Sequence, residues 1–238
     1  MLLDAGADIS ATSYLNEDVN RNGLLQATTK GHAAVVKVLL KRVIDVNIKG
    51  EREETALNRA ALNGDSEIVR ILLKAKAKVD NADAFWNTPF LCALREGHLK
   101  VAELLLTKCA SYKSKNRDSK TPLHYAVRWG FFKVARSLIR NGADVNEGYN
   151  KFLPHYGTLE TRTKNIDVLT LLLRAGAEFP STTSDYYDGR IYSLISSCGH
   201  EKFRLLFDYG AVPRGWKSSS ALLYSAAVHG NLNVHVYT

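Results

Sequence analysis

The chain has 238 residues, 45% hydrophobic and 24% charged, with a formal net charge of +8, the composition of an ordinary soluble protein. No apolar run approaches the ~18–20 residues that cross a bilayer, and the opening MLLDAGADIS has neither the basic region nor the apolar length of a signal peptide. Three cysteines, Cys92, Cys109 and Cys198, are odd in number and lack metal-ligand spacing, which argues against a disulfide framework or zinc site and for a reducing compartment.

In chain order, residues 1–10 end like a helix that closes on Gly-Ala-Asp, with Leu2-Leu3 before Gly6-Ala7-Asp8. The expectation is a partial unit, and so a fragment or a shortened gene product. Residues 11–43 follow with Asn22-Gly23-Leu24-Leu25, then Gly31-His32. A second run then places Val35, Val36, Leu39 and Leu40 at helical spacing on one expected buried face. Residues 44–76 carry Thr55-Ala56-Leu57-Asn58-Arg59-Ala60, Gly64 and Leu72-Leu73, and residues 77–109 carry Thr88-Pro89-Phe90-Leu91-Cys92-Ala93, Gly97 and Leu105-Leu106. Residues 110–142 give the clearest copy: Thr121-Pro122-Leu123-His124-Tyr125-Ala126, Gly130, Leu138-Ile139 and Gly142. The first slot (Asn22, Thr55, Thr88, Thr121) and the glycine slot (Gly31, Gly64, Gly97, Gly130) both recur every 33 residues. A threonine before an apolar run predicts an N-cap, and proline at the next position sits where its missing N–H costs nothing.

After residue 143 the pattern loosens. Residues 166–173 keep a second helix ending in Arg174-Ala175-Gly176-Ala177, while the first helix, near 154–163, contains Gly157 and has lost the motif. Gly199-His200 and Leu205-Leu206-Phe207 mark a weaker copy. Residues 180–187 (PSTTSDYY) read as a loop, and residues 220–234 show one more first helix.

A 33-residue unit of T-P-L-H-x-A, glycine turn, second helix and Gly-Ala-Asp resembles an ankyrin repeat, a β-turn plus two helices. The resemblance covers essentially the whole chain and implies an all-α α-solenoid, with hairpin loops between helix pairs. It gives about six full repeats: 1–10 partial, 11–142 regular, 143–219 degenerate and 220–238 truncated. Such arrays grow by stacking, so 238 residues make one array without needing a second core.

The residues give no catalytic arrangement. His32, His98, His124 and His200 occupy slots where the resemblance implies backbone bonds between helices and neighbouring repeats. His155, His229 and His235 form no H-x-x-x-H or H-E-x-x-H. There is no C-x-x-C, phosphate-binding loop or dinucleotide fingerprint, and Cys92 is expected to pack rather than attack. No enzyme activity, cofactor or metal is expected.

The resemblance implies a partner on the concave side, built from hairpin tips and first helices. In those slots stand Phe85 and Trp86, Arg117 and Lys120, and Arg95 with Arg128 and Trp129; Trp86 stands where a tip glycine is usual. Arg95, Arg128 and, one copy on, Arg162 form a basic column. At roughly 10 Å between repeats, like charges cost only about 0.4 kcal/mol per pair in water, so the column reads either as a solvated face or as a track for carboxylates. The aromatics read either as packing on the next hairpin or as binding anchors. Lys113, Lys115, Arg117 and Lys120 make one basic hairpin, while Glu51, Glu53 and Glu54 make an earlier one acidic. With no nucleic-acid motif, the charge suits an acidic protein partner, or a membrane surface in a larger parent, better than nucleic acid, and the lysines alone read as a solvated face. The resulting expectation is a monomeric, non-catalytic scaffold or adaptor in the cytoplasm or nucleus. The alternatives are the substrate-recognition part of a ubiquitin-ligase adaptor, or the repeat region of a larger channel or latrotoxin-like protein.

Overall fold

Each 33-residue period becomes two short helices and a projecting hairpin. In a computed structural model the first unit, Met1–Ala143, contains α1 (Gly23–Thr29), α2 (Ala33–Lys41), α3 (Ala56–Asn63), α4 (Ser66–Lys74), α5 (Pro89–Glu96), α6 (Leu99–Leu106), α7 (Pro122–Trp129) and α8 (Phe132–Arg140). The second unit, Asp144–Thr238, contains α9 (Ile166–Arg174). The structure describes residues 23–41, 45–147 and 166–177, with Leu205 and Tyr209. The expected first helix near 154–163, the loop at 180–187 and the terminal helix at 220–234 lie outside the described residues.

Helices of two turns are marginal alone, so their ends and their packing must hold them. Thr55 and Thr88 cap α3 and α5 through hydroxyls that accept the Asn58 and Leu91 amides. Gly64, Gly97 and Gly130 end α3, α5 and α7 at φ 78°, 81° and 70°, a left-handed conformation that lets the chain reverse at once into the second helix. First helices pack on first helices (α1 on α3, α3 on α5, α5 on α7), and second helices do likewise (α2 on α4, α4 on α6). Leu24, Leu57, Phe90 and Leu123 share one slot and are all fully buried.

The stack is also bonded across repeats. Asn47 Oδ1 accepts the Lys78 amide at 2.8 Å, and one period later Asp80 Oδ1 accepts the Ser111 amide at 2.9 Å. Asn63 Nδ2 donates to Thr29 O at 3.1 Å. His98 Nε2 lies 3.0 Å from Leu62 O, which can only accept, so the ring donates. This is the structural role expected of His98.

The hairpins close as turns; no strand forms among the described residues. In each, an amide bonds three residues back (Glu53 N to Gly50 O, Trp86 N to Asp83 O, Ser119 N to Asn116 O). The closing residues Glu53, Trp86 and Ser119 have φ 57°, 64° and 58°, a type I turn followed by a left-handed residue. Fingers are joined laterally, Ala84 N to Arg52 O at 2.8 Å and Arg117 N to Phe85 O at 3.0 Å.

One expectation fails at the first repeat. Val36 and Leu39 are buried, but Val35, expected on the same face, is 46% exposed. Its counterparts Ile68, Val101 and Val134 are 2%, 0% and 1% exposed. Each of those has a preceding repeat beside it, whereas no described helix precedes α1 and α2. Burial of this slot comes from the neighbour, which periodicity within one helix cannot report.

In the second unit α9 buries Val168, Leu169, Leu172 and Leu173, as its sequence predicts. Asn146 Nδ2 donates to Gly176 O at 3.1 Å, and Arg174 Nε to the Tyr209 hydroxyl at 3.3 Å.

Candidate functional site

The sequence concentrates aromatic and basic residues on the fingers and first helices of the third and fourth repeats. On that face they form two clusters, one at the fingertips and one at the ends of α5 and α7.

At the fingertips, Phe85 and Trp86 are 49% and 59% exposed. Asp83 shapes the turn that presents them: its Oδ1 accepts the Phe85 and Asn87 amides, both at 2.8 Å. Asn116 does the same one repeat on, accepting the Asp118 and Lys120 amides at 3.1 and 2.8 Å. Arg117 then lies with its guanidinium 5.9 Å from the centroids of both the Phe85 and the Trp86 rings, within cation–π range. The aromatics therefore do pack on the next finger, and they remain half open to solvent. Packing there does not use up their surface. Lys120 contributes its backbone to the finger, its carbonyl accepting the Asn116 amide at 3.2 Å, and its ammonium lies near His124.

At the helix ends, the Arg128 guanidinium sits 5.6 Å from the Trp129 ring centroid. Trp129 stacks on Phe131 with centroids 6.5 Å apart and is 45% exposed. Its indole covers Gly97 so closely that a Cβ there would meet ring atoms at 3.0–3.1 Å. The equivalent cover one repeat earlier is His98 over Gly64. The slot after the helix-ending glycine holds His98 in one copy and Phe131 in the next; with Phe131 there, Trp129 becomes the cover. Phe131 was not singled out from sequence, although its place in a slot held by histidine at His32 and His98 was a usable signal.

Arg95 is brought beside the α7 face but is paired: its Nε donates to Glu96 Oε1 at 2.9 Å. Arg162, the third member of the expected column, lies outside the described residues. Between the two clusters Tyr125 is buried, its hydroxyl accepting from Asn116 Nδ2 at 3.1 Å; burial raises its pKa and keeps it a neutral strut between finger and helix. The finger of the second repeat is less acidic than its sequence reads. Glu54 is buried with Oε1 on Arg59 at 2.7 Å, and Glu53 pairs with Lys49 at 2.8 Å.

The motif slot beneath the fingers is structural. Asn58, where His124 stands in the fourth repeat, accepts from Thr55 N and Oγ1 at 2.9 and 2.7 Å. It also donates to Asn81 O and Asn87 O of the next finger at 3.1 and 3.0 Å. His124 Nδ1 accepts from Thr121 N at 3.2 Å and lies 2.8 Å from its hydroxyl. Burial, then nearby Lys120, lowers its pKa to about 4, so it is neutral at pH 7. Burial likewise pushes the Cys92 thiol up to about 12; it packs, and at neutral pH it carries no thiolate to attack with. Among the described residues no group of His, Cys, Asp or Glu could hold a metal ion, and no helix is long and apolar enough to cross a membrane.

A family model described as ankyrin repeats (3 copies) matches residues 1–83 and 76–148. A search of curated proteins finds no match.

Proposed function

Because the chain belongs to the ankyrin-repeat family, whose members are generally protein-interaction modules, we propose that it is a non-catalytic scaffold or adaptor that holds an acidic segment of another protein against its finger and first-helix face. The observation that carries this reading is the pair of arginines seated on exposed aromatic rings, Arg117 on Phe85 and Trp86 and Arg128 on Trp129. Arginine over an aromatic plane keeps its forked donors turned outward for carboxylates, and large aromatics with arginine are the residues enriched in binding hot spots. Fingers already bonded to one another lose little freedom on binding, so more of the contact energy is realised as affinity. The chain acts as a monomer on this reading, and its free thiols at Cys92 and Cys109 suit a reducing compartment such as cytoplasm or nucleus.

The test is affinity capture with the natural chain and with a Trp86→Gly, Arg128→Glu variant, both shown folded by circular dichroism. A bound protein retained by the first and lost by the second supports the reading. If the variant holds every partner that the natural chain holds, this face is not the binding site.

A further inference from the structure

Arg117 and Arg128 are alike in a way that the other described arginines are not. Each guanidinium rests on an aromatic ring of this face, and neither is paired with a carboxylate among the described residues. Arg95, by contrast, is tied to Glu96, and Arg59 to Glu54. The two seated arginines belong to one repeat and lie at opposite ends of α7: Arg117 on the finger before Thr121, Arg128 in the helix's last turn. The rise of α7 from its cap to Arg128 is about 10 Å, and the four residues from Arg117 to that cap, bent by the turn at Ser119, add less than about 13 Å more. The two anion anchors are therefore roughly 15 Å apart, along the helix rather than across the repeats. Crossing the repeats past the third finger would bring an acidic segment to Glu51 and Glu53 of the second, both exposed.

Resting on the proposed function, we infer that the occupant is an extended protein segment lying along α7 with two acidic anchors about four to six residues apart. At about 3.3 Å per extended residue that spacing spans the distance between the arginines. One anchor meets Arg117 beside Phe85 and Trp86, and the other meets Arg128 beside Trp129. A helical segment would need about ten residues between its anchors to span the same distance, so spacing tells the two conformations apart.

The probes are fluorescein-labelled peptides carrying one Asp-Glu pair, two pairs separated by one or five residues of stiff, extended polyproline, or two pairs separated by ten residues of helix-forming alanine, titrated with the whole chain and read by anisotropy. The expected result is that the five-residue spacing binds at least tenfold tighter than the single-pair peptide and than the other two spacings. Arg117→Gln and Arg128→Gln should each bring it down to the single-pair level, because a linked second anchor acts through effective concentration. Lys100→Gln, an exposed residue on α6, should leave it unchanged. Circular dichroism checks that the variants are folded. An optimum at ten residues overturns the extended segment. Binding that ignores spacing, and falls equally with all three substitutions, overturns the two-anchor site while leaving an acidic partner standing. Binding by none of the peptides removes both.

Discussion

The junction between the second and third repeats and the one between the third and fourth solve the same problem differently. In the first, Asn58 reaches from the start of α3 into the next finger and holds two of its carbonyls. In the second, the same slot is Leu91, an apolar, fully buried residue that can hold no carbonyl. Both junctions share one lateral amide bond, Ala84 N to Arg52 O and Arg117 N to Phe85 O; at the second the finger is held besides by Arg117 lying over Phe85 and Trp86, and from below by Asn116 on the Tyr125 hydroxyl. One junction is tied inside, where no partner can reach. The other is tied at the surface, by the groups offered to a partner. Binding and finger order are thus coupled at the second junction and separate at the first.

The largest expected effect tests the inner tie. Asn58→Leu would turn the first junction into the second without its surface latch, leaving Asn81 O and the Thr55 amide without this partner in a buried site. Each unsatisfied buried group costs about 1–3 kcal/mol, so a loss of about 2–4 kcal/mol is expected, read as a fall in the urea midpoint at unchanged slope. Asn58→His, which restores the residue of the fourth repeat, should stay within about 1 kcal/mol of the natural chain. Equal loss from both substitutions would mean that packing, not the tie, sets the effect.

Next is the pH dependence of the fourth repeat. His124 has its pKa lowered to about 4 in the folded chain, against an unfolded value near 6.5. Between those values the unfolded state binds the extra proton, so stability falls as pH drops through the window and is fully present above it. The loss from this one group is on the order of 2 kcal/mol at pH 5. His124→Asn, which copies the residue found at Asn58 in the second repeat, should keep the Thr121 bonds and remove this part of the slope. Thermal melts of the two chains at pH 7.5 and pH 5 measure the difference; parallel behaviour would show that His124 takes up its proton without cost.

The period, the helices and their caps were legible in sequence because they depend on residues close in the chain: a threonine, a glycine 9 residues on, apolar residues at helical spacing. What was not legible depends on the neighbouring repeat. Val35 and Ile68 have the same local pattern and opposite burial, and the helix that carries Ile68 packs on α2 of the repeat before it. Arg95 and Arg128 share a slot, yet Glu96 takes up the first while Trp129 carries the second; that difference lies in the next residue of the same helix and was open to reading. Asn58 stands in the slot of His124, bonds its own cap as that ring does, and reaches the next finger as well. Trp86 was the reverse case: its departure from glycine was visible, and its φ of 64° shows what the departure costs.

Arg117→Gln should have a smaller effect on stability than either change above. It removes a cation–π contact worth about 0.5–1 kcal/mol at an exposed site and loosens the fourth finger without touching the helices. Amide exchange should quicken at 112–120 and stay unchanged at 56–74. Quickening spread evenly over both segments would show that the latch supports the whole stack, and the two junctions would no longer be distinct in kind.

The smallest effect separates stability from binding at a single residue. Trp86 closes its turn in the left-handed region, which costs a residue with a side chain about 1–2 kcal/mol, and more than half of it is exposed to water. Glycine takes the conformation freely, though its looser unfolded chain offsets about 0.4–1 kcal/mol of the gain. Removing the ring also gives up its share of the Arg117 contact, about 0.5–1 kcal/mol, so Trp86→Gly should leave stability within about 0.5 kcal/mol of the natural chain while lowering affinity for the acidic segment. Trp86 packs under Arg117 and still leaves more than half its surface in water, so unchanged stability with weakened binding is the signature of a contact made to the partner. If the variant is less stable as well as weaker in binding, Trp86 is part of what holds the fingers together and its exposure has no further meaning.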